Sequence, residues 1–435
     1  MNNSKKYLFL IVIILLVVIG VSLAYFGITI IGNDTAKGNK VVTGNLELTF
    51  TDTNEISLEN AFPGDSFTKT ISVKNTGTKE VSYNLVWTEL NNEITNNELI
   101  IEATCKSLNS SGTEGGTCEV ISQTPVGNNI IKKNISIEPN VTHEYTIKVT
   151  FVDIGSVQNY NKNKSFVGKF GVEEYSLPTS ISFAEDSWET IAELVSAGKI
   201  SNYNVGDTKT VDMGKYGTHT LRIANTSTPS ECSTTGFSQT ACGFVLEFAD
   251  IITKHAMNDT VTNEGGWPAT SMRTFVNNDI YNALPSEIKN AIIDTTVVSG
   301  HGESDTENFT STDKLYLLST AEVWANTISS SNIVNKGNDN IAVFSLPAPD
   351  IINPRVGDSA RNATRQLDYY KNLGVIIDSD YSGAIKKNGT TASGWWLRSI
   401  ISTHSYHFYS VHDNGFWEDD YGVTSTYGVS PAFRI

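Results

Sequence analysis

Apolar and polar side chains alternate in a series of short segments in the first part of the chain, and this pattern constrains the fold more than any other feature. Alternation places every second side chain on the same face of a strand. The segments lie at residues 46–50, 67–73, 81–87, 130–137, 145–151 and 166–172. Turn motifs such as Phe62-Pro63-Gly64-Asp65 and Asn75-Thr76-Gly77 separate them. Short strands at this spacing predict an all-β sandwich over residues 38–175.

The N-terminus has the features of an export signal. Lys5 and Lys6 precede an apolar run at residues 7–23, and basic residues before such a run hold the N-terminus inside the cell. Ser22-Leu23-Ala24 places small residues where a signal peptidase cleaves, which predicts a cut after Ala24. The alternative is an uncleaved membrane anchor, because about 20 apolar residues suffice to span a bilayer. Residues 1–30 are therefore predicted to be a signal peptide or an anchor helix.

Four motifs in this region point to a family: Ala24-Tyr25-Phe26, Val42-Thr43-Gly44-Asn45-Leu46, Phe62-Pro63-Gly64-Asp65 and Val73-Lys74-Asn75-Thr76-Gly77. Through them, residues 7–175 resemble the camelysin and TasA family of Gram-positive surface proteins. Some members assemble into fibres when an N-terminal segment completes a neighbour's sheet, which is strand addition to an open edge. The corresponding segment here is residues 25–42. Its glycines lower strand propensity, so a first strand that folds back on its own sheet is the favoured interpretation.

Some camelysin relatives are described as metallopeptidases. Such a zinc site needs two histidines one helical turn apart with a glutamate as base. His143-Glu144 lies in a predicted strand, and Ile147 stands where the second histidine would be required. No peptidase site is predicted.

The chain length and the cysteines define the domain organisation. At 435 residues the chain is long enough for two domains, and a short linker at 176–180 separates the sandwich from a second domain at 181–435. Four cysteines form two close pairs, Cys105 with Cys118 and Cys232 with Cys242. In an exported protein these pairs predict two local disulfides rather than a zinc site.

The second domain is predicted to mix helices and strands. Ser187 is the expected N-cap of a first helix, which ends at Gly198. A second helix has an apolar face from Met272 to Leu284 and stops before Pro285. Residues 359–370 are expected to be helical as well.

The end of the chain has two distinctive motifs, Gly394-Trp395-Trp396-Leu397-Arg398-Ser399 and Tyr427-Gly428-Val429-Ser430-Pro431-Ala432-Phe433. With Gly265-Gly266-Trp267 and residues 317–323, they resemble a bacterial domain of unknown function, the family numbered 6273, over residues 181–435. The resemblance implies an α+β fold related to C-type lectins and formylglycine-generating enzymes. This sequence differs from the family pattern at Ser430, where the family more often has Arg. The framework residues are predicted to be Trp395, Trp396, Arg398, Gly428 and Pro431; a buried Arg398 would need a carboxylate or carbonyl partner.

The interval between the two motifs is rich in aromatic and polar side chains and is predicted to be a hairpin. In lectin-like domains the surface near this hairpin often contacts ligands, and rigid aromatic rings supply contact area at low entropic cost. The resemblance therefore implies a site for a cell-surface glycan or protein. Its predicted contact residues are His404, Tyr406, His407, Tyr409, Phe416, Trp417 and Tyr421. The alternative is a solvated hairpin with packed aromatic side chains.

Several other functions are excluded or disfavoured. A net charge of −16 argues against nucleic acid as a partner, because phosphate binding needs clustered Lys and Arg. The copper site of formylglycine-generating enzymes needs late cysteines, and no cysteine follows Cys242. Glu303, Asp305, Glu307 and Asp313 could gather calcium ligands, but a solvated acidic loop is favoured. No catalytic residue, metal or cofactor is predicted.

These observations predict an exported protein, without enzymatic activity, at the surface of a Gram-positive-type bacterium. Its second domain is expected to bind a glycan or protein partner, and its N-terminal segment would contact the membrane if it stays uncleaved. The alternative function is a fibre or biofilm-matrix subunit that self-assembles by strand addition.

Overall fold

The computed structural model describes residues 29–31, 39–43, 46–52, 56–58, 61–325, 357–377, 382–418 and 422–435. The apolar run at residues 7–23, predicted to be a signal or anchor helix, lies outside the described residues. Among the helices that are described, none has the length and apolar character needed to cross a bilayer. The described chain is mainly β-sheet with few helices. It divides into two compact units between Ser176 and Leu177.

The N-terminal unit contains two antiparallel sheets. Its strands are β1 (Thr29–Ile31), β2 (Asn39–Thr43), β3 (Leu46–Thr51), β4 (Ile56–Leu58), β5 (Ser66–Asn75), β6 (Val81–Asn92), β7 (Leu99–Leu108), β8 (Ile121–Pro125), β9 (Ile130–Ile137), β10 (Thr142–Phe151) and β11 (Phe166–Glu174). One sheet has the order β1-β11-β6-β9, with β4 also paired to β11, and the other has the order β2-β3-β5-β10-β7-β8.

Both sheets of the N-terminal unit contribute side chains to one hydrophobic core. Alternate residues point inward, for example Ile71 and Val73 on β5. Within one sheet the ring of Trp87 on β6 stacks on that of Phe170, its partner on β11, with ring centroids 4.3 Å apart. Gly168 is required for this packing, because a Cβ there would lie 2.5 Å from the Trp87 ring. Two facing sheets with a shared core fit the predicted sandwich.

The C-terminal unit mixes short strands and short helices. Its strands are β12 (Thr208–Asp212), β13 (Thr218–Asn225), β14 (Val245–Phe248), β15 (Thr253–Ala256), β16 (Thr295–Ser299), β17 (Phe309–Asp313), β18 (Lys387–Asn388), β19 (Thr391–Ala392), β20 (Trp395–Ile400), β21 (Phe408–Val411), β22 (Trp417–Glu418), β23 (Thr426–Val429) and β24 (Ala432–Arg434). Its helices are α1 (Trp188–Ser196), α2 (Gly266–Ala269), α3 (Ser271–Phe275), α4 (Tyr281–Ala283), α5 (Ser286–Ala291), α6 (Thr320–Val323) and α7 (Asp368–Asn372).

Two larger sheets organise the C-terminal unit. Their strand orders are β12-β13-β14-β24 and β15-β23-β20-β21-β22, and β16-β17 and β18-β19 form separate pairs. All strand pairs of the first sheet are antiparallel. In the second sheet β20 pairs with β23 in parallel. Trp395 and Trp396 on β20 are both fully buried. The two tryptophans of the terminal motif therefore lie in the core of this unit.

The local predictions for helices are partly confirmed. The Ser187 side chain accepts a hydrogen bond from the Thr190 amide at 3.1 Å and caps α1, and Gly198 follows with a φ of +66°. The second predicted helix contains a π-helical turn, Val276–Ile280, between α3 and α4. The helix predicted at 359–370 is wrong apart from its end, where α7 begins at Asp368.

Both predicted disulfides are present, Cys105–Cys118 in the N-terminal unit and Cys232–Cys242 in the C-terminal unit. Each closes a short loop within its own unit. The cysteine pairing predicted from sequence is confirmed.

Candidate functional site

The predicted contact residues of the terminal hairpin divide between core and surface. Tyr409, Phe416 and Trp417 are 0%, 5% and 2% exposed and belong to the core. This corrects the expectation that they supply surface contact area. For Tyr409 the physical reason is that every residue of β21 is buried. Trp417 lies on β22, which pairs with β21, and the ring of Phe416 lies 5.3 Å from that of Trp417. Tyr421 lies outside the described residues.

Three of the predicted residues reach the surface in the segment between β20 and β21, and we call His404, Tyr406 and His407 the loop patch. Tyr406 is 40% exposed, and the two histidines are partly exposed. The ring centroid of His407 lies 4.2 Å from that of Tyr406 and 5.0 Å from that of His404. The three rings therefore form one continuous aromatic surface.

Asn263 holds the backbone under the loop patch. Its side chain is fully buried, and its Nδ2 donates to the carbonyl oxygens of His404 at 2.8 Å and His407 at 3.3 Å. Its own amide donates to the Ser405 carbonyl at 2.9 Å. Gly302 packs on the Asn263 amide group so closely that any Cβ at this position would overlap it. One buried residue thus fixes both ends of the exposed segment.

An acidic segment lies beside the loop patch. The Glu303 amide donates to the His404 carbonyl at 3.1 Å, and the Glu303 and Glu307 side chains are exposed. Asp305 accepts a hydrogen bond from the Gly265 amide at 3.0 Å. Asp313, by contrast, is buried and pairs with Arg273 at 2.6 Å. The four acidic residues considered for calcium are therefore not one cluster.

Potential metal ligands come together at one place in the part of the chain that the structure describes. Ligand atoms of Cys105, Cys118 and His143 lie within 4.8 Å of one another, but both sulfurs form the disulfide, which leaves the imidazole as the ligand on offer. Burial lowers the pKa of His143 to about 4, and its Nδ1 lies 3.0 Å from the Tyr83 hydroxyl. This neutral histidine is a core residue.

Arg398 occupies the centre of a buried ionic network next to the hairpin. It is 1% exposed and contacts both carboxylate oxygens of Glu322 at 2.6 Å. Its Nη1 also donates to the Leu317 carbonyl at 2.7 Å. Burial alone would raise the pKa of Glu322, but the charge and hydrogen bonds of Arg398 outweigh it and lower that pKa. The bidentate pair fixes β20 to the start of α6.

The next residue, Ser399, extends this network to Asp358. The Asp358 carboxylate is buried and accepts hydrogen bonds from the Ser399 hydroxyl and, at 3.1 Å, from the Thr320 hydroxyl. Burial raises the pKa of Asp358 above its usual value, although these hydrogen bonds oppose the shift. The segment around Asp358 is thereby attached to the strand that precedes the loop patch.

A second buried ionic network surrounds Glu247 on β14. This carboxylate contacts Arg222 at 2.7 Å, Lys386 at 2.7 Å and the Tyr370 hydroxyl at 2.8 Å. Burial opposes ionisation of Glu247, but the two cations lower its pKa to about 2. Lys386 Nζ also donates to Ser430 Oγ at 2.9 Å. Where the family more often has Arg, this chain has Ser430, and the positive charge beside it comes from Lys386.

The remaining framework residues lie close to this network. The Gly428 amide donates to the Gly394 carbonyl at 3.0 Å, and a Cβ on Gly428 would come 2.7 Å from that oxygen. The Pro431 carbonyl accepts a hydrogen bond from the Phe248 amide at 3.0 Å. These contacts join the last motif of the chain to β14 and to the residue before β20.

Comparison with known proteins identifies one domain. Residues 244–435 match the family described as Domain of unknown function (DUF6273). The predicted resemblance of the C-terminal region is confirmed over these residues. They include the loop patch, Asn263, Glu322, Arg398 and Lys386. No curated protein matches the chain.

The similar solved structures cover small parts of the chain. The infectious bursal disease virus VP2 subviral particle is 14% identical over 30% of this chain and 32% of that chain, with a TM-score of 0.20. A structure of the Gx strain of that virus is 14% identical over the same shares, with a TM-score of 0.19. A family 123 glycoside hydrolase from Clostridium perfringens is 16% identical over 28% of this chain and 23% of that chain, with a TM-score of 0.14. This chain therefore spans less than two thirds of each, and scores this low support no conclusion about fold.

Sequence reasoning did not single out Asn263, Glu247 or Lys386. A signal was present for Glu247, since it interrupts the apolar run Phe244-Val245-Leu246 and Phe248. A charge inside such a run indicates a buried carboxylate that needs a cation. Asn263 gave no comparable signal, because its role depends on the carbonyl groups of a segment distant in sequence.

Proposed function

We propose that this is an exported surface protein of a Gram-positive-type bacterium whose C-terminal unit binds a cell-surface glycan or protein through the loop patch. The observation that carries the proposal is the row of three rings, His404, His407 and Tyr406, on a backbone fixed by Asn263. A preorganised segment loses little conformational entropy when a partner binds. The function is binding rather than catalysis.

The chemistry of the loop patch suits such partners. The exposed face of Tyr406 offers flat apolar area for the ring of a sugar or for an apolar side chain. The imidazoles of His404 and His407 and the carboxylate of Glu303 add donors and acceptors for hydroxyl or amide groups. The polar groups would fix orientation, and the aromatic area would supply most of the binding free energy.

Export is supported by two independent features. The apolar run at residues 7–23 follows Lys5 and Lys6, and both disulfides fit an oxidising compartment. In this proposal the N-terminal unit is a sandwich of the camelysin and TasA type, which displays a C-terminal unit of lectin-like fold.

The test is binding of the full chain to an array of glycans and cell-surface proteins. A variant with His404, Tyr406 and His407 changed to Ala is compared with a matched control, Leu373→Ala, which removes a 47% exposed side chain elsewhere in the C-terminal unit. We expect specific binding by the parent and by Leu373→Ala, and its loss in the triple variant. Equal binding by all three proteins would contradict the proposed site.

A second candidate function is self-assembly into fibres by strand exchange. It is supported by the positions of β1 and β2. β1 lies within residues 25–42, β2 overlaps the end of that segment, and each strand is at an edge of its sheet. β1 pairs with β11, and β2 pairs with β3. The same ladders would form between copies if these strands paired with a neighbour.

Deletion of residues 25–42 tests this second function. The deletion removes β1 and most of β2 and leaves two open sheet edges. We expect purified parent protein to polymerise reversibly and the deleted chain to accept the missing segment as an added peptide. Parent protein that stays monomeric at every concentration would argue against fibre formation, without affecting the binding proposal.

A further inference from the structure

Lys69 is a buried lysine on the inward face of β5. It lies on the same face as Ile71 and Val73, and its side chain is 3% exposed. Its Nζ lies 2.6 Å from Oδ1 of Asp52, whose side chain is 7% exposed and which directly follows β3. The ring of Phe170 lies 5.6 Å from the same nitrogen. An amine and a carboxyl group thus meet inside an apolar core.

The hydrogen bonding of Lys69 is incomplete for an ammonium group, which has three donors. Among the described residues its Nζ has no acceptor in hydrogen-bond geometry, and the contact with Asp52 is a close approach without that alignment. A buried ion pair is stable only when hydrogen bonds satisfy its remaining protons and lone pairs. The ionic form of this pair lacks them on the lysine side.

Lys386 shows how the same residue type is held as a cation in this protein. Its Nζ is also buried, and it donates to Glu247 at 2.7 Å, to the Phe248 carbonyl at 2.7 Å and to Ser430 Oγ at 2.9 Å. Three donors therefore have three acceptors. The two lysines differ in this respect although both lie beside a buried carboxylate.

We propose that Lys69 and Asp52 condense to an intramolecular amide bond that joins β5 to the end of β3. One ammonium proton passes to the carboxylate, which gives an amine and a carboxylic acid. The amine nitrogen attacks the carboxyl carbon, so that the C–N bond forms. The C–O bond then breaks, and the hydroxyl group leaves with the second nitrogen proton as one water molecule. No oxidant, reductant or other reactant is consumed.

Two physical effects favour this reaction in the folded protein. The amide removes two charges from the core and with them the unfavourable desolvation of both ions. The fold also holds the two groups in contact, and well-oriented groups react with effective molarities of about 10⁵–10⁸ M. An apolar core excludes the water that would reverse the reaction.

Mass spectrometry of the tryptic peptides from the full chain tests the proposal. Trypsin does not cleave after an acylated lysine, so we expect peptide 41–74 in place of peptides 41–69 and 70–74, and lighter by one water than its sequence mass. Asp52→Asn provides a matched variant, because attack on the amide carbon expels ammonia in place of water. It should give the identical product peptide.

Two further variants remove the reacting groups. Asp52→Ala and Lys69→Arg should give peptides of full sequence mass, and circular dichroism establishes that each variant is folded. A water loss that persists in both would locate the change at another residue of the same peptide and would overturn the proposal. So would a parent protein whose peptides 41–69 and 70–74 have their full masses.

Discussion

The two units of this protein place a lysine beside a carboxylate in their cores, and they do so in different ways. In the C-terminal unit, Lys386 has three acceptors, and Glu247 accepts hydrogen bonds from three residues. In the N-terminal unit, Lys69 faces Asp52 with an apolar ring nearby. The difference indicates that burial alone does not determine the fate of a charge. The number of hydrogen-bond partners decides whether it remains ionic.

The largest expected effect comes from the network with the complete set of partners. Changing Glu247 to Ala leaves the buried Lys386 and the partly buried Arg222 without their counter-charge, and we expect a loss of about 3–5 kcal/mol in the free energy of unfolding. This loss is measured by urea denaturation of the full chain, monitored with a probe in the C-terminal unit. The exposed Glu303→Ala is the control, with an expected change within about 0.5 kcal/mol. Similar values for the two variants would show that the network contributes little.

Variants of Asp52 distinguish an ionic contact with Lys69 from a covalent bond. Asp52→Ala removes the proposed amide and should lower the free energy of unfolding of the N-terminal unit by about 3 kcal/mol, the usual contribution of a cross-link that closes a loop of this size. Asp52→Asn should differ little from the parent, since it forms the same amide. If the contact were a salt bridge, Asp52→Asn would instead lower the free energy of unfolding, because the neutral Asn cannot balance a buried ammonium. The two unfolding curves therefore discriminate between the bonds.

The two units should also respond differently to acid. His143 has a pKa of about 4 in the folded N-terminal unit, against an ordinary value of 6.5, so between these values the unfolded chain binds more protons. The stability of that unit falls as pH falls through this window, by about 3 kcal/mol in total. Glu247 in the C-terminal unit has its pKa lowered from 4.5 to about 2, and that contribution is lost only as pH falls below 4.5.

Thermal unfolding between pH 7 and pH 3 measures both responses. We expect the N-terminal unit to lose stability first. His143→Gln should remove most of its dependence on pH above 4. A variant with an unchanged pH profile would mean that His143 is not the group responsible.

The smallest effects are expected at the loop patch. Asn263→Ala removes the donors to His404 and His407, and we expect a loss of about 1–2 kcal/mol in the stability of the C-terminal unit. Tyr406→Ala should change that stability by less than about 0.5 kcal/mol, because the side chain is partly exposed. Both variants should weaken binding to any partner found on the array. If Asn263→Ala binds as the parent does, the fixed backbone is not required.

Local sequence patterns predicted the local structure well. The alternating segments at 67–73 and 145–151 lie within β5 and β10, and Ser187 caps α1. These features depend on neighbouring residues in the sequence. The same alternation also places Lys69 on the apolar face of its strand, although the pattern does not identify Asp52 as its neighbour.

The candidate site was predicted less completely. Tyr409 and Trp417 looked like surface residues because the interval is polar and aromatic, but strands buried on both faces do not alternate. Arg398 was recognised as needing a partner, yet Glu322 lies 76 residues away in the chain. Such contacts depend on tertiary packing. The hydrogen bonds from Asn263 to the loop patch belong to the same class.

The position of Asp52 has a mechanical consequence under the display at a cell surface that we propose. Tension applied to the N-terminal side of the described chain would separate β2 and β3 from the edge of their sheet, beginning with the outermost ladder. An amide between Asp52 and Lys69 would stop this peeling and transmit the load to β5, which pairs with β10 over nine residues. Residues 53–68 would then contribute no length under force, and the sandwich would act as a stiff connector.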